Sequence, residues 1–255
     1  MLKAENLSLQ RAGKNIISHI DLVVPAGQVM GILGTNGAGK STLLAGISGD
    51  LAPFTGQVLL ADKPLAEWQA EQKARLLALL PQNSTLNFGF LVKEIVALGR
   101  LPYNTGFIKD QQIVQDVLAL TDVSYLAERN YLTLSGGERQ RVHLARILAQ
   151  LWPVTEQSVL LLDEPTSMLD PLHQHTLLKV VRHCAKEGAA VLVILHDLNL
   201  AAAYCDQLAL LKAGSIFNQG SPTEVLTTSH IKEVFGLDVL IESHPLQGYP
   251  LVIPR

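Results

Sequence analysis

Residues 28–49, QVMGILGTNGAGKSTLLAGISG, decide the fold of this chain. They begin with a short apolar run, QVMGILG, which predicts a buried β-strand. A glycine-rich loop follows, and after it Leu43, Leu44 and Ile47 recur at the spacing of one helix face. Strand, glycine-rich loop and helix in this order predict an α/β protein built around a phosphate-binding loop.

The loop itself, GTNGAGKS at residues 34–41, fits the pattern G-x-x-x-x-G-K-[ST]. Its glycines let successive backbone N–H groups converge on one anion, and the following helix N-terminus favours negative charge. Lys40 is predicted to reach the β- and γ-phosphates of a nucleotide, and the Ser41 hydroxyl to ligate Mg²⁺. A plain glycine-rich turn with an exposed lysine is disfavoured by the matching strand and helix. The residues predicted to bind nucleotide here are Gly34, Thr35, Asn36, Gly37, Ala38, Gly39, Lys40, Ser41 and Thr42.

Other segments complete the predicted architecture. The apolar runs SVLLLDEP (158–165) and AAVLVILHD (189–197) predict further strands of a mostly parallel sheet, with an amphipathic helix between them. The N-terminal segments ENLSLQ, NIISHIDLVV and GQVLLADKPL alternate, which predicts an antiparallel β layer. Residues 83–135 show helical patterns without a strand, so we predict an inserted α-helical subdomain there. The P-loop NTPase core is then formed by 1–82 and 136–255, and it includes a hairpin-and-helix tail.

Polar side chains follow the predicted strands where ligands of parallel sheets gather. Asp163 is predicted to lie on the Mg²⁺ side and Glu164 to accept a proton from the attacking water. An acidic pair that merely caps a strand is the alternative. His196, after the next strand, is predicted to hold the γ-phosphate or the water, and the Gln82 amide to touch Mg²⁺ or water. The predicted catalytic residues are Glu164, His196 and Gln82, and the predicted Mg²⁺ ligands are Ser41, Gln82 and Asp163.

A second anion-binding turn lies in LTLSGGERQ, residues 132–140. Ser135, Gly136 and Gly137 precede a helix whose first N–H groups and dipole favour an anion. One nucleotide uses both sites only if the loop of one copy and the Ser-Gly-Gly helix of another grip it from opposite sides. A simple capped helix start explains Ser135 but not the two glycines.

The composition excludes some classes of function. With a formal net charge of −3, no broad basic surface is available to bind nucleic acid. The apolar runs stop short of the roughly 20 residues that a membrane-spanning helix requires, and MLKAENLSLQ lacks a signal-peptide core. Cys184 and Cys205 have no C-x-x-C spacing, so we expect a reduced, cytosolic protein without disulfides.

Together, these motifs resemble the ATP-binding subunits of ABC transporters. GTNGAGKS resembles the Walker A motif, LSGGERQ the signature, LLLDE the Walker B motif, SMLD the D-loop and His196 the switch histidine. The resemblance implies a head-to-tail homodimer that encloses two ATP molecules with Mg²⁺ and drives two copies of a multi-span permease. It also implies a periplasmic substrate-binding protein, reached through the permease, and a peripheral location on the cytoplasmic face of the bacterial inner membrane.

Finer features resemble one group of importers. FLVKEIVALGRLPY (90–103) is similar to the permease-docking surface of the importers of iron chelates, cobalamin and haem. AQLWP, LDPLHQH and HPLQGYPLVIP resemble haemin-importing members. The ATPase subunit would not contact haem itself, so a siderophore or cobalamin cargo stays open. A free-standing ABC-type ATPase, such as one for iron–sulfur cluster assembly, is the alternative. A nucleotide-sensing clamp without turnover is disfavoured because Glu164 and His196 are both present.

The chain departs from the family pattern at the base-binding position. An aromatic residue usually stacks on adenine there, whereas this chain has Leu9, with Arg11 beside it. We expect an apolar contact from Leu9, or the Arg11 guanidinium plane, to replace it. Met168 stands where the D-loop commonly has alanine, at the predicted dimer contact. Three further histidines are expected to be surface or permease-side residues rather than metal ligands; they are His173, His175 and His183.

Overall fold

The computed structural model describes residues 1–82 and 86–255. The start of the predicted insert, residue 83, lies outside these ranges. The strands are β1 (Leu2–Arg11), β2 (Lys14–Val24), β3 (Val29–Leu33), β4 (Thr55–Leu60), β5 (Lys63–Pro64), β6 (Leu77–Leu80), β7 (Val159–Asp163), β8 (Ala190–Ile194), β9 (Gln207–Lys212), β10 (Ser215–Gly220), β11 (Val239–Ser243) and β12 (Pro250–Pro254).

Helices of very different length connect the strands. The α-helices are α1 (Lys40–Ser48), α2 (Ala70–Leu76), α3 (Val92–Ala97), α4 (Phe107–Leu120), α5 (Gly136–Leu151), α6 (Pro171–Lys186), α7 (Leu198–Tyr204), α8 (Pro222–Val225) and α9 (Thr228–Phe235). Single 3₁₀ turns cover Leu65–Glu67, Leu98–Arg100, Ser124–Leu126 and Tyr131–Thr133. In the described ranges, none of these helices combines the length and the apolar character needed to cross a membrane.

The central sheet has six strands in the order β10-β9-β3-β8-β7-β6. All neighbours are parallel except β10, which pairs antiparallel with β9. Every residue of β3, β7 and β8 is buried, because both faces of the sheet are covered. The prediction of a mostly parallel sheet is confirmed.

A second, four-stranded antiparallel sheet has the order β2-β1-β4-β5. Its inner face packs with α1 and one face of the central sheet into a single hydrophobic cluster that includes Leu9, Leu43 and Ile47. The N-terminal antiparallel layer was predicted, and the structure confirms it. This layer therefore covers the helix that follows the phosphate-binding loop.

The other face of the central sheet carries the helical layer. One hydrophobic cluster joins α3 and α4 to α5 and α6, so the helices between the described residues 86 and 135 share a core with the rest of the chain. At the C-terminus, β11 and β12 pair as an antiparallel hairpin. The Asn199 side chain, on α7, fixes this hairpin by accepting from Val252 N at 2.7 Å and donating to Val252 O at 3.1 Å.

Candidate functional site

The glycine-rich loop lies between the end of β3 and the start of α1. Gly39 is the residue before α1 and has a φ of 104°, which an L-residue rarely adopts. Lys40 is only 6% exposed, and its Nζ donates to the carbonyl oxygens of Gly34 at 2.9 Å and Thr35 at 3.2 Å. Burial lowers the pKa of Lys40, while the two nearby carboxylates act in the opposite direction. The lysine thus closes the loop around its own ammonium group.

A hydroxyl and a carboxylate face each other beside the loop. Ser41 Oγ, in the first turn of α1, donates to Asp163 Oδ1 at 3.4 Å. Asp163 is the last residue of β7 and is buried. Burial is the largest cause that raises the pKa of Asp163, and the Ser41 hydrogen bond partly opposes it. Both side chains offer hard oxygen atoms, the ligands that Mg²⁺ prefers.

Glu164 is the centre of a three-residue cluster. Its Oε2 accepts from Gln82 Nε2 at 2.6 Å, and its Oε1 lies 2.5 Å from His196 Nε2. The glutamate backbone has a φ of +49°, in the left-handed region that is uncommon for residues other than glycine. Gln82 and His196 therefore orient both oxygens of a carboxylate that the backbone already holds in an unusual conformation.

These groups meet because of the strand order. β3, β8, β7 and β6 are adjacent and parallel, so the loop after each strand emerges at the same edge of the sheet. The resulting cavity has a volume of about 510 Å³. Its lining residues are Ile16, Asn36, Gly37, Gly39, Lys40, Ser41, Thr42, Gln82, Glu164 and His196. Ile16 was not predicted, because in the sequence it reads as one apolar residue of an alternating strand.

The Ser-Gly-Gly turn begins α5. Ser135 Oγ accepts from Glu138 N at 3.3 Å, and Ser135 N donates to Glu138 Oε2 at 2.7 Å, so the two residues form a capping box. A Cβ at position 137 would stand 3.2 Å from Leu169 Cδ2 and 3.3 Å from Met168 O. Close packing against the segment after β7 therefore explains the glycine at position 137 within a single chain.

The structure does not bring this turn to the phosphate-binding loop of the same chain. Ser135, Gly136 and Gly137 line a separate cavity of about 700 Å³. Among the described residues, none lines both cavities. Tyr125 and Arg141, which were not predicted, also line the second cavity, and Arg141 Nη2 donates to the Tyr125 hydroxyl at 3.1 Å.

The expected base contact from Leu9 is wrong. The Leu9 side chain is 0% exposed, and it packs against Gly46 of α1 inside the β layer. Leu9 faces inward because β1 carries register shifts on both sides of it. Arg11 is exposed at the end of the same strand. Ile16 is the apolar residue of this layer that reaches the cavity.

Two of the three histidines that were expected to be surface or permease-side residues have hydrogen-bond partners in the chain, and His183 Nδ1 lies 4.0 Å from Glu187 Oε1. His173 Nδ1 lies 2.7 Å from Asp170 Oδ2, and His175 Nδ1 lies 2.8 Å from the Tyr204 hydroxyl. Residues 1–82 and 86–255 contain no group of three or more His, Cys, Asp or Glu side chains arranged to hold a metal ion.

The fold and the first cavity define a P-loop nucleotide hydrolase, with a buried lysine and a buried aspartate beside the glycine-rich loop and an oriented glutamate at the sheet edge. Residues 17–167 match the family described as ABC transporter. The chain belongs to this family as an ATP-binding subunit, an ATPase, and the corresponding prediction is confirmed.

Known proteins are similar over the whole chain. The "Hemin import ATP-binding protein HmuV" of Pseudomonas fluorescens is 57% identical and that of Pseudomonas aeruginosa 54%, each over 100% of both chains. A solved structure described as an inward-facing, metal-chelate type ABC transporter is 26% identical, with a TM-score of 0.82 over 100% of this chain and 96% of that chain. These similarities favour the importer prediction over the free-standing ATPase.

Proposed function

We propose that this ATPase powers the import of haemin, as a head-to-tail homodimer beneath two copies of a membrane permease. The observation that carries the proposal is that each chain holds one complete phosphate-side cavity and one separate Ser-Gly-Gly cavity. The haemin cargo is supported by full-length relatives that are named for hemin import. The subunit would lie on the cytoplasmic face of the bacterial inner membrane, and a periplasmic protein would deliver the cargo to the permease.

Residues of the first cavity would bind the triphosphate and position water. Lys40 would exchange its contacts with the loop carbonyls for phosphate oxygens, to which a protonated ammonium binds more strongly. Glu164 would accept the proton of the attacking water. The Gln82 amide and the His196 imidazole orient the carboxylate now, and His196 is 46% exposed on the side chain, which leaves it able to reach the γ-phosphate.

The oxygen atoms beside the loop fit Mg²⁺. Ser41 Oγ and Asp163 Oδ1 are already neighbours, and the Gln82 side chain lines the same cavity. When bound with ATP, Mg²⁺ would neutralise charge on the β- and γ-phosphates. These three residues would hold it, directly or through water.

The second phosphate contact would come from the partner subunit. Ser135, Gly136 and Gly137 offer a hydroxyl and the first N–H groups of the 16-residue helix α5, whose dipole favours an anion. Because this turn lies in a cavity of its own, it would meet ATP only when a second copy supplies the loop. Two copies in opposite orientation satisfy both sites at once, which closes a symmetric dimer.

The permease would dock on the helical surface, for which we propose residues 83–135 as the inserted subdomain. Large apolar side chains are exposed there, with Leu101 at 77%, Phe107 at 75% and Ile108 at 85%. Beside them is a groove of about 480 Å³, where Val114 and Leu118 form an apolar floor between charged side chains. An amphipathic cytoplasmic helix of the permease would fit such a groove.

The shared site can be tested by mixing two inactive variants. Lys40→Ala removes the loop ammonium, and Ser135→Arg fills the Ser-Gly-Gly turn. About half of randomly mixed dimers pair one of each and keep one intact site, so about a quarter of the wild-type ATPase rate should return. Mixing Lys40→Ala with the double variant leaves no intact site and is the matched control. No recovery in the first mixture would contradict the head-to-tail arrangement.

The cargo needs a separate experiment. The chain is purified from native membranes with its co-purifying permease, and the complex is placed in vesicles that contain haemin-binding or siderophore-binding protein. ATP-dependent movement of haemin, absent with Glu164→Gln, is expected. Movement of a ferric siderophore or cobalamin in its place would correct the cargo, and a soluble partner instead of a permease would favour the free-standing ATPase.

A further inference from the structure

The 3₁₀ turn after α3 has two different sides. Leu98 and Leu101 are exposed, whereas Gly99 and Arg100 are buried. Gly99 lies so close to α5 that a Cβ there would stand 2.2 Å from the carbonyl oxygen of Arg146. The inner side of this turn is therefore packed directly against the helix that begins with the Ser-Gly-Gly turn.

Arg100 holds the C-terminal end of that helix. Its Nη1 donates to the carbonyl oxygens of Ala149 at 2.7 Å and Trp152 at 3.3 Å. Its Nε donates to Asp110 Oδ1 at 2.9 Å, and its Nη2 donates to Thr105 Oγ1 at 3.3 Å. The last carbonyls of a helix have no partner within the helix, and its dipole favours a cation there. One buried guanidinium thus joins α5 to the start of α4.

Tyr103 completes the contact. Its ring centroid lies 3.9 Å from the Arg100 guanidinium, and its hydroxyl donates to the Gln150 carbonyl at 2.8 Å. The Gln150 amide in turn donates to the carbonyl oxygens of Ala74 at 2.7 Å and Leu77 at 3.1 Å. Leu77 begins β6, the strand that leads to Gln82 in the phosphate-side cavity. The end of α5 is therefore a junction between the exposed helical surface and both cavities.

We propose that Arg100 and Tyr103 are positioning residues that set the orientation of α5, and with it Ser135, relative to the ATP-binding core. Helix α5 has 16 residues and is a rod of about 24 Å, with this pair at one end and Ser135 at the other. A displacement of the exposed surface at Leu98 and Leu101 is thereby passed to the turn that contacts ATP. The inference rests on the proposed dimer, because Ser135 reaches ATP only across it.

Pulsed EPR on the monomer tests whether Arg100 and Tyr103 set the orientation of α5. One spin label is attached at Leu132→Cys, next to the Ser-Gly-Gly turn, and the other at Glu67→Cys, an exposed position of the ATP-binding core. The measured quantity is the distribution of distances between the two labels. The native Cys184 and Cys205 are buried, and burial raises the pKa of both thiols, so they stay unlabelled.

The informative variants weaken the pair without removing its bulk. Arg100→Lys keeps the charge but loses the guanidinium fork, and Tyr103→Phe keeps the stacked ring but loses the hydroxyl. We expect both to broaden or shift the distance distribution. Leu101→Ala, in the same segment but exposed, should leave it unchanged. Ile113→Val trims the core of α4 without touching the pair and controls for reduced stability, which thermal unfolding measures alongside.

The functional part uses the Glu164→Gln background, in which ATP-bound dimers accumulate. We expect Tyr103→Phe to weaken ATP-driven dimerisation about fivefold, the loss typical of one hydrogen bond, and Arg100→Lys to weaken it more. Binding of ATP to the monomer should stay within about twofold of the parent. Sedimentation measures the first quantity and calorimetry the second.

The outcomes separate this inference from the proposed dimer. If the distance distributions of both variants match the parent, or change no more than that of Ile113→Val, the positioning role is overturned. If the variants move the turn as expected but the Glu164→Gln parent binds ATP and never dimerises, the positioning role stands and the head-to-tail proposal fails.

Discussion

The two cavities of this chain are built in different ways. The phosphate-side cavity is lined by the Lys40 ammonium, the Glu164 carboxylate and the His196 imidazole. Glu164 already contacts His196 and Gln82, and Asp163 contacts Ser41 beside the loop. The Ser-Gly-Gly cavity offers a helix N-terminus whose serine is engaged with Glu138 of its own first turn. The first carries the groups that we propose to bind and hydrolyse a nucleotide. The second offers the backbone N–H groups of a helix N-terminus, with the side chains of Glu138, Arg141 and Asp170 around them.

This difference predicts that one cavity determines ATP affinity and the other determines dimerisation. Affinity for ATP should reside in the first cavity of a single subunit, because its charges are buried and preorganised there. The second cavity should matter only when two subunits meet. Variants on the two sides should therefore separate binding from dimerisation, and the following predictions test that separation from the largest expected effect to the smallest.

Glu164→Gln should lower ATP hydrolysis about 1000-fold, because an amide cannot take the proton from water. ATP binding should stay within about twofold, since the change removes no contact to phosphate. Phosphate release and calorimetry measure the two quantities. A variant that hydrolyses ATP at nearly the wild-type rate would remove Glu164 from its proposed role.

Ser135→Arg should lower hydrolysis about 100-fold by preventing closure of the dimer, while the monomer binds ATP as before. Leu132→Arg places the same side chain three residues earlier, at an exposed position, and is the matched control. Sedimentation with and without ATP shows closure. Unchanged ATP-driven dimerisation in Ser135→Arg would break the contrast between the two cavities.

Asp163 should give the Mg²⁺ effect a distinctive pH dependence. Burial raises the pKa of this carboxyl, so it takes up a proton at higher pH than an exposed aspartate does. The gain in ATP affinity on adding Mg²⁺ should therefore fade as the pH is lowered, and it should begin to fade above the pH range in which an exposed aspartate takes up a proton. Asp163→Asn should lose about tenfold in Mg²⁺-dependent affinity at neutral pH, and its difference from the parent should shrink as the pH is lowered and Asp163 takes up a proton. ATP titrations in the presence of Mg²⁺ or of EDTA measure this gain in affinity. An equal gain in both proteins would argue against Asp163 as a Mg²⁺ ligand.

Ile16→Ala should have the smallest effect, a loss of about threefold in ATP affinity, because it removes a partly buried apolar contact at the edge of the cavity. Inorganic triphosphate, which lacks the base and the sugar, should bind both proteins equally. Arg11→Ala is the comparison variant. If Arg11→Ala lowers the affinity for ATP more than Ile16→Ala does, the Arg11 guanidinium rather than the Ile16 side chain contacts the base.

Much of the fold was predictable because its signals are local. The continuous apolar runs at 158–165 and 189–197 predict buried parallel strands, and both are present. The strand β9 was missed, although its residues are mostly buried, because it lies beside the less regular tail. Leu9 was misjudged because the register shifts in β1 turn Leu7, Ser8 and Leu9 inward together, which alternation cannot anticipate.

Local motifs indicated several residues that come together in the structure, but not the contacts that these residues make. The motif residues Lys40, Ser41 and Asp163 do lie together around one cavity edge. The pairing of Glu164 with both Gln82 and His196 depends on which strands are neighbours in the sheet. No local sequence pattern specifies that strand order. The contacts of Arg100 and Tyr103 with the end of α5 were likewise hidden, because they join segments about fifty residues apart.

The left-handed backbone at Glu164 carries a local cost in folding free energy. A side chain in that conformation costs about 1 kcal/mol relative to glycine, and the folded chain carries this cost whether or not nucleotide is present. A glycine at this position would relieve the cost and abolish the carboxylate together. A glycine would also lose the contacts of the carboxylate with Gln82 and His196, so the backbone cost belongs to the same side chain that organises the cavity.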